Sequence, residues 1–256
     1  MEKYVPTSQE ERDFILNYDS SRYEKPSVTV DNVIFTLSEE NILSVLLIKR
    51  GVYPYKDKWA IPGGFVGMKE SLDEAASREL YEETGLKGIN TEQFGTFGDV
   101  DRDPRMRVIS AAYMSFVPKG MLVLKAGDDA KDAKLFKIHI DLDGITYIGD
   151  AEVLHESELS FDHADIIRTA IKRLRNRIDY TDDAFKLLKD EKSFTIYELK
   201  KIYEAVKGMR EDTGNFRRSF YKKYVDTGIV KETGEKTENT GYRDAKLYCK
   251  VKNIKL

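Results

Sequence analysis

Apolar positions in the first 160 residues form strand-like runs around one helical pattern. Residues 27–37 and 42–49 are β-branched and apolar and are separated by a polar turn, which predicts a hairpin of two core strands. Residues 71–84 have apolar positions at helical spacing and end at Gly85, the type of residue that often ends helices. Further strands are predicted at residues 89–96, 107–117, 133–139 and 144–147, and a short helix at residues 8–18. Strands on both sides of a helix indicate a mixed α/β domain.

The pattern changes after residue 160. Residues 163–178 have apolar positions at helical spacing with basic side chains between them, which predicts a linker helix. Three shorter helical patterns and two strand-like runs follow, at residues 182–189, 196–206, 214–224, 229–232 and 245–251. Three helices and a hairpin, in this order, are typical of a winged helix-turn-helix domain. We therefore expect domains at residues 1–160 and 179–256, joined by a linker helix at 161–178.

Composition is that of a soluble globular protein, with 256 residues, 41% of them hydrophobic. The single cysteine, Cys249, excludes a disulfide framework and a zinc site built from cysteines. The first residues have no apolar core of a signal peptide, and no apolar run approaches the length that crosses a bilayer. We therefore expect a cytoplasmic protein that does not act in a membrane.

The net charge of −3 conceals two halves of opposite sign. Residues 1–164 hold 19 basic and 30 acidic side chains, whereas residues 165–256 hold 23 basic and 15 acidic ones. An acidic half can concentrate divalent cations, and a basic segment of this size is expected of proteins that bind nucleic acid. The charge pattern alone does not establish either function.

Three glutamates in the predicted helix point to a metal site. Helical geometry places Glu79, Glu82 and Glu83 on one face, because residues three and four apart are neighbours. Crowded carboxylates repel one another unless a cation neutralises them, and hard oxygen ligands select Mg²⁺ or Mn²⁺. Gly63 and Gly64 would let the backbone approach the metal or a phosphate closely. The chemistry predicted is metal-assisted attack of water on a phosphate chain.

The spacing of these residues resembles the Nudix box. The matching positions are Gly64, Glu70, Arg78, Glu79, Leu80, Glu82, Glu83, Gly85 and Leu86. The resemblance implies an α/β fold, the Nudix α/β/α sandwich with a mixed sheet. It also implies that Glu79 and Glu83 are the main metal ligands, with Glu82 a further ligand or base. The Gly63 carbonyl is a further ligand expected from the resemblance.

Two other box residues have structural roles in the family. The resemblance implies that Arg78 pairs with Glu70 and holds the loop against the helix. In some Nudix enzymes the general base is instead a glutamate on a later loop. The candidates for that role here are Glu152, Glu156 and Glu158, and the sequence does not choose among them.

The segment Asp101-Arg102-Asp103-Pro104-Arg105-Met106-Arg107-Val108-Ile109-Ser110 resembles a loop and strand of Nudix proteins that handle ADP-ribose or related NAD derivatives. Arginines can clamp a diphosphate with two hydrogen bonds, so Arg105 and Arg107, together with Gly64, are expected to bind substrate. Met106 stands where that group often has glycine. The alternative is that both arginines are solvent-facing strand charges.

Two short motifs also resemble this Nudix group. Residues 126–130 (AGDDA) resemble its second motif, and residues 161–165 (FDHAD) resemble its end. We expect His163, within the second of these, to pack in a hinge rather than to take part in catalysis.

The C-terminal region, residues 161–256, resembles the winged helix of Nudix-related transcriptional regulators of the NrtR type. Thr195 and Glu198 predict a capping box at the start of its supporting helix. The next helix carries side chains of types that contact phosphates and base edges in duplex DNA, namely Asn215, Arg217, Arg218, Lys222 and Lys223. The alternative is a winged helix used for dimerisation or as a spacer.

Two hypotheses for function follow. The first, ranked higher because the box is complete, is a Mg²⁺- or Mn²⁺-dependent hydrolase that splits a nucleoside diphosphate derivative, above all ADP-ribose, into two monophosphates. The second is a regulator that binds duplex DNA and uses the Nudix domain to sense a metabolite. A homodimer is expected in both cases, because such Nudix domains and winged helices often work as dimers.

Overall fold

A mixed β-sheet forms the centre of the first domain. The structure, a computed structural model, describes residues 4–118, 120–122, 130–237 and 244–254. The strands are β1 (Ser27–Leu37), β2 (Leu43–Arg50), β3 (Trp59–Ala60), β4 (Gly63–Phe65), β5 (Thr91–Phe97), β6 (Val108–Phe116), β7 (Ala130–Ile140), β8 (Ile145–Ile148) and β9 (Val153–His155). Their order across the sheet is β5-β6-β1-β2-β7-β8-β9, with β3 paired to β2 and β4 paired to β1.

Strand β1 is the core of this sheet. It pairs antiparallel with β2, as the predicted hairpin requires, and parallel with β6. Its side chains alternate between two apolar layers, with Val30 and Ile34 in one layer and Val33 and Phe35 in the other. Burial on both faces explains why its sequence is a nearly continuous apolar run.

Helices α2 (Leu72–Thr84) and α3 (His163–Arg177) pack on opposite faces of the sheet. Among the described residues, the other α-helices are α1 (Gln9–Leu16), which buries no residue, α4 (Asp183–Lys186), α5 (Ile196–Lys207) and α6 (Thr213–Phe220). Helix α2 begins with a capping box between Ser71 and Glu74 and ends at Gly85, whose φ of 69° suits a residue without a side chain. Ala75 and Ala76 of α2 pack in the layer that contains Val30, whereas α3 packs in the opposite layer.

The C-terminal domain has the element order predicted for a winged helix. Helices α4, α5 and α6 are followed by a hairpin of β10 (Val230–Lys236) and β11 (Lys246–Lys250). The predicted capping box of Thr195 and Glu198 is present at the start of α5. One apolar cluster runs from the sheet through α3, by way of Leu174 and Ile178, into this domain. The two domains therefore share a continuous core.

Some elements differ from the sequence prediction. Strands β3, β4 and β9 were not predicted, because each has only two or three residues and no alternating pattern can be recognised at that length. Helix α4 has four residues where eight were predicted. The part of the chain that the structure describes contains no helix long and apolar enough to cross a membrane.

Candidate ligand cavity and nucleic-acid face

A cavity of about 570 Å³ opens between β1, β4, α2 and the first residue of α3. Its lining includes apolar side chains, backbone glycines and a dense set of charges. The charged residues are Asp31, Arg50, Arg78, Glu79, Glu82, Glu83, Arg102, Asp103 and Arg105. A concave site with both arginines and carboxylates suits a ligand that carries phosphate groups.

Arg78 holds the loop of the box against helix α2, as predicted. Its guanidinium donates two hydrogen bonds to Glu70, of 2.9 and 3.1 Å, and one of 3.2 Å to the Phe65 carbonyl. Glu70 in turn accepts a 2.7 Å hydrogen bond from the Gly67 amide. The bond with Arg78 holds the pKa of Glu70 below its ordinary value, so this carboxylate stays charged in its structural role.

Arg78 also lies between two of the predicted metal ligands. Its Nη1 is 2.8 Å from Glu79 Oε1 and 3.2 Å from Glu82 Oε2. Glu79 is buried, and burial raises its pKa against the opposing effect of Arg78. The guanidinium therefore offsets part of the negative charge on this face of the helix.

The absence of a side chain at Gly64 leaves space for the Glu79 carboxylate. A Cβ atom at position 64 would lie 2.2 Å from Glu79 Oε1, so no other residue fits while Glu79 keeps this position. The close approach was expected for a metal or phosphate, and the structure shows it for the carboxylate of Glu79.

The oxygen donors of the box have the chemistry that a hard divalent cation prefers. Glu79, Glu82 and Glu83 all line the cavity next to Gly63, and oxygen donors of this kind suit Mg²⁺ or Mn²⁺. Within the described ranges, no three His, Cys, Asp or Glu side chains are grouped so that they could hold a metal. Arg78 Nη1 contacts both Glu79 and Glu82 and so bridges two of the three carboxylates. The assignment of metal ligands stays a prediction.

The three later glutamates considered as a general base lie outside the cavity lining. Glu152 accepts a 3.0 Å hydrogen bond from Trp59 Nε1, and Glu156 pairs with Arg168 at 2.7 Å. Glu158 accepts from the His155 amide. Each carboxylate has a structural contact, which favours a base from the box itself.

One nearly buried charge in the cavity wall, Arg102, was not singled out by the sequence prediction. The Arg102 side chain is only 5% exposed and is bound by Asp162 through hydrogen bonds of 2.8 and 2.6 Å and by Asp31 at 3.1 Å. Asp31 also accepts from Ser110 Oγ. The segment around Arg102 was recognised, but the sequence does not reveal which of its arginines turns inward.

The two arginines expected to bind substrate have different positions. Arg105 lines the cavity, pairs with Asp103 at 2.8 Å and lies 5.6 Å from the centre of the Phe65 ring. Arg107 is exposed, does not line the cavity and donates to the Asp99 carbonyl. The geometry thus favours Arg105 over Arg107 as a ligand contact.

His163, expected to pack in a hinge, is buried at the start of α3. Its Nδ1 accepts a 3.0 Å hydrogen bond from the Ile61 amide, and its Nε2 lies 3.8 Å from Asp31 Oδ1. Burial lowers the pKa of this imidazole, so it is neutral at pH 7 with its proton on Nε2. The motif at residues 126–130 lies almost entirely outside the described residues.

The winged helix domain presents a basic face. Asn215, Arg217 and Arg218 of α6 are exposed, and so is Lys222 just after it. Lys223 departs from the prediction that it joins this face. Its Nζ donates to the Asp179 carbonyl and lies 3.6 Å from Asp179 Oδ1, because the π-helical turn at Tyr221–Val225 directs adjacent side chains to different sides.

Comparison with known protein families agrees with this architecture. The model of the NUDIX domain matches residues 25–155, just over half of the chain. The chain belongs to the Nudix family. The model of the NrtR DNA-binding winged helix domain matches residues 184–249. The expected fold, a Nudix domain with a mixed sheet followed by a winged helix domain, is thereby confirmed.

Relatives of this Nudix protein include both regulators and enzymes. It is 32% identical, over 93% of its length and 87% of the relative, to the ADPR responsive transcriptional repressor NtrR of Acinetobacter baylyi. It is 40% identical, over 57% of its length and 73% of the relative, to an ADP-ribose pyrophosphatase of Methanocaldococcus jannaschii. The structure of Shewanella oneidensis NrtR complexed with a 27mer DNA covers 88% of this chain and 93% of that one, with 26% identity and a TM-score of 0.67.

Proposed function

We propose that this Nudix protein is a transcriptional regulator that binds duplex DNA through its winged helix and changes its DNA affinity when the Nudix cavity binds ADP-ribose. The observation that carries the proposal is the likeness to the repressor of Acinetobacter baylyi, which spans both domains and 93% of the chain. Likeness to the pyrophosphatase covers 57% of the chain and leaves the winged helix unexplained. The regulator therefore ranks above the hydrolase, the reverse of the order given by the box alone.

The basic face supports the DNA-binding part of this proposal. Arg217, Arg218 and Lys222 are exposed on one helix and its extension, and Asn215 is exposed in the first turn of the same helix. These side chains can contact phosphates and base edges when the helix enters a major groove. A homodimer, which would place two such helices on one duplex, is part of the proposal.

The cavity supports the ligand-binding part. ADP-ribose carries a diphosphate between two riboses, and Arg102 and Arg105 both line the cavity. Guanidinium groups bind phosphate oxygens with paired hydrogen bonds, which gives orientation as well as affinity. Phe65 and Phe161 add aromatic surface to the same lining.

The test measures DNA binding by the full-length protein with and without ADP-ribose. A labelled duplex from the region upstream of the gene that encodes this chain would be titrated by fluorescence anisotropy, with a scrambled duplex of equal length as the control. EDTA would be present to prevent hydrolysis. We expect preference for the upstream duplex and a change in its affinity of about 5- to 150-fold on saturation with ADP-ribose, the usual range for coupled sites. Equal affinity for both duplexes, or no effect of ADP-ribose, would contradict the regulator.

A second candidate function is hydrolysis of ADP-ribose to AMP and ribose 5-phosphate. The observation that favours it is the intact box, with Glu79, Glu82 and Glu83 all in the cavity lining. These three carboxylates and the Gly63 carbonyl are the proposed ligands of Mg²⁺ or Mn²⁺, which when bound would polarise the phosphate and activate water. Arg78 would have to release Glu79 and Glu82, and its bonds to Glu70 would keep it in place.

The hydrolase test is independent of DNA. The protein would be incubated with Mg²⁺ and ADP-ribose, and AMP would be quantified by chromatography beside an EDTA control. Metal-dependent AMP release that disappears in Glu83→Gln supports hydrolysis. Release at the same rate in that variant would assign it to a contaminant.

A further inference from the structure

The start of helix α3 joins the ligand cavity to the winged helix domain. Asp162 directly precedes α3 and binds Arg102 behind the cavity wall. His163, the first residue of α3, lines the cavity itself. Any movement of the cavity wall at Arg102 therefore reaches the helix directly.

The other end of α3 is fixed to the winged helix domain. Arg175 donates a 2.9 Å hydrogen bond to the Val206 carbonyl at the end of α5, and Arg177 donates one of 2.6 Å to Asp183 of α4. A helix of this length spans about 22 Å and moves as one body. Displacement of its first turn would thus be carried to α4 and α5.

The Asp162 carboxylate binds Arg102 and not the backbone of α3. Asp162 occupies the N-cap position of α3, where an aspartate normally accepts hydrogen bonds from the first backbone amides, yet its side chain makes no such bond. Its carboxylate is directed to Arg102 instead. If Arg102 left, the carboxylate could cap the helix, where the positive end of the helix dipole also favours it.

The residue before Asp162 is strained. Phe161 has a φ of 52°, a left-handed conformation that bulky side chains rarely adopt. Contacts with the cavity wall hold it there, since its ring lies 4.7 Å from the ring of Tyr55 and 4.9 Å from the Arg50 guanidinium. Strain at this point favours a change in backbone conformation once the wall contacts change.

We propose that the ion pair between Arg102 and Asp162 is the switch through which a bound diphosphate acts on the winged helix domain. The diphosphate takes the Arg102 guanidinium, because it offers more negative charge than one carboxylate and can bind the guanidinium with two hydrogen bonds. Asp31 remains as the second anchor of Arg102, and Asp162 turns to cap α3. The proposal rests on the regulator function proposed above and names its mechanism.

The test uses Asp162→Asn in the full-length protein. The amide keeps the size of the side chain and its ability to cap the helix but loses the charge that holds Arg102. We expect the ligand-free variant to have the DNA affinity that the wild type has with saturating ADP-ribose. Addition of ADP-ribose should then change that affinity less than about twofold, against the 5- to 150-fold range typical of coupling. ADP-ribose should bind the variant at least as tightly as the wild type by calorimetry, because Asp162 no longer competes for Arg102.

Asp165→Asn is the matched control. Asp165 lies on the same first turn and pairs with Arg168 on the surface, away from the cavity lining. The control removes the same charge from the same helix end, so it should keep the wild-type response to ADP-ribose. Loss of the response in both variants would show that charge at the helix end, rather than the Arg102 pair, is responsible, and would overturn the proposal.

Hydrogen exchange on the wild type gives a second measurement that needs no variant. ADP-ribose should change the protection of amides in residues 161–167 in the DNA-free protein. Unchanged protection there, or a wild-type response in Asp162→Asn, overturns the switch while the regulator stands. If ADP-ribose does not change the DNA affinity of the wild type, both the regulator and the switch are overturned, so the two failures are distinguishable.

Discussion

Lys222 and Lys223 are adjacent lysines for which the structure predicts opposite roles in DNA binding. Lys222 is exposed, and no ion pair or hydrogen bond of its side chain appears among the described residues. Lys223 is half-buried and bound to Asp179. Burial lowers the pKa of Lys223, which further reduces its value as a surface charge. We predict that Lys222→Ala weakens DNA binding and that Lys223→Ala does not.

The magnitude follows from counterion release. Each phosphate that a cation neutralises contributes about −0.9 to the slope of log affinity against log salt. If Arg217, Arg218 and Lys222 each neutralise one phosphate, they contribute about −2.7 per winged helix domain, and Lys222→Ala reduces this contribution to about −1.8. Between about 50 and 200 mM salt, one such contact corresponds to roughly a 3.5-fold change in affinity.

The assay is a set of anisotropy titrations of one duplex at four or more salt concentrations. Both variants lose one positive charge, so an effect of net charge alone would appear equally in the two. Lys223→Ala should keep the wild-type slope and lose less than about 1 kcal/mol of stability, as expected when a partly exposed ion pair is removed. Equal changes of slope in the two variants would refute the assignment of the DNA-binding face.

Further predictions concern the cavity and the domain junction. Glu83→Gln should lower any Mg²⁺-dependent hydrolysis of ADP-ribose by orders of magnitude, since it removes a ligand charge but little volume, and AMP release measures this. Arg105→Ala should weaken ADP-ribose binding by about tenfold or more in calorimetry, because a charged hydrogen bond to the diphosphate is lost. The pKa of His163 in the folded chain lies below its ordinary value of 6.5. As the pH falls, the unfolded chain therefore takes up a proton at His163 before the folded chain does. The free energy of unfolding should therefore fall as pH drops below about 6.5, by up to about 1.4 kcal/mol per pH unit, and His163→Asn should remove this component in urea titrations at several pH values. Arg177→Met should lower the free energy of unfolding by about 2–3 kcal/mol in the same titrations, because Asp183 stays buried with one lysine as its remaining cation. Breaking a buried ion pair usually costs about 3–5 kcal/mol, so a loss below about 0.5 kcal/mol would contradict this prediction.

Elements with long periodic patterns could be predicted from the sequence. Strand β1 begins and ends where its apolar run does. Helix α2 is capped at its start by the Ser71 side chain and at its end by Gly85, which has a left-handed conformation. Residues 51–67 contain β3 and β4, which the sequence pattern did not predict. Those two short strands form because neighbouring strands provide hydrogen-bond partners, and a pattern within the segment does not reveal this.

The candidate site was predictable in part for a similar reason. The pair of Arg78 and Glu70 was expected from the resemblance to the Nudix box, and the structure contains it. Arg102 binds Asp162, 60 residues further along the chain, and Asp31, 71 residues earlier. Contacts at such separations depend on the order of strands in the sheet, which local spacing does not determine. For the same reason Arg105 and Arg107 looked equivalent although only Arg105 lines the cavity.

An intact box and a sensor function place opposite demands on the same cavity. The fraction of Nudix cavities that hold ADP-ribose reflects its equilibrium affinity only when ADP-ribose dissociates much faster than it is hydrolysed. A regulator that also hydrolyses ADP-ribose therefore needs slow chemistry. We expect single-turnover hydrolysis, if present, to be slower than ADP-ribose release, and fast turnover would favour the enzyme over the regulator.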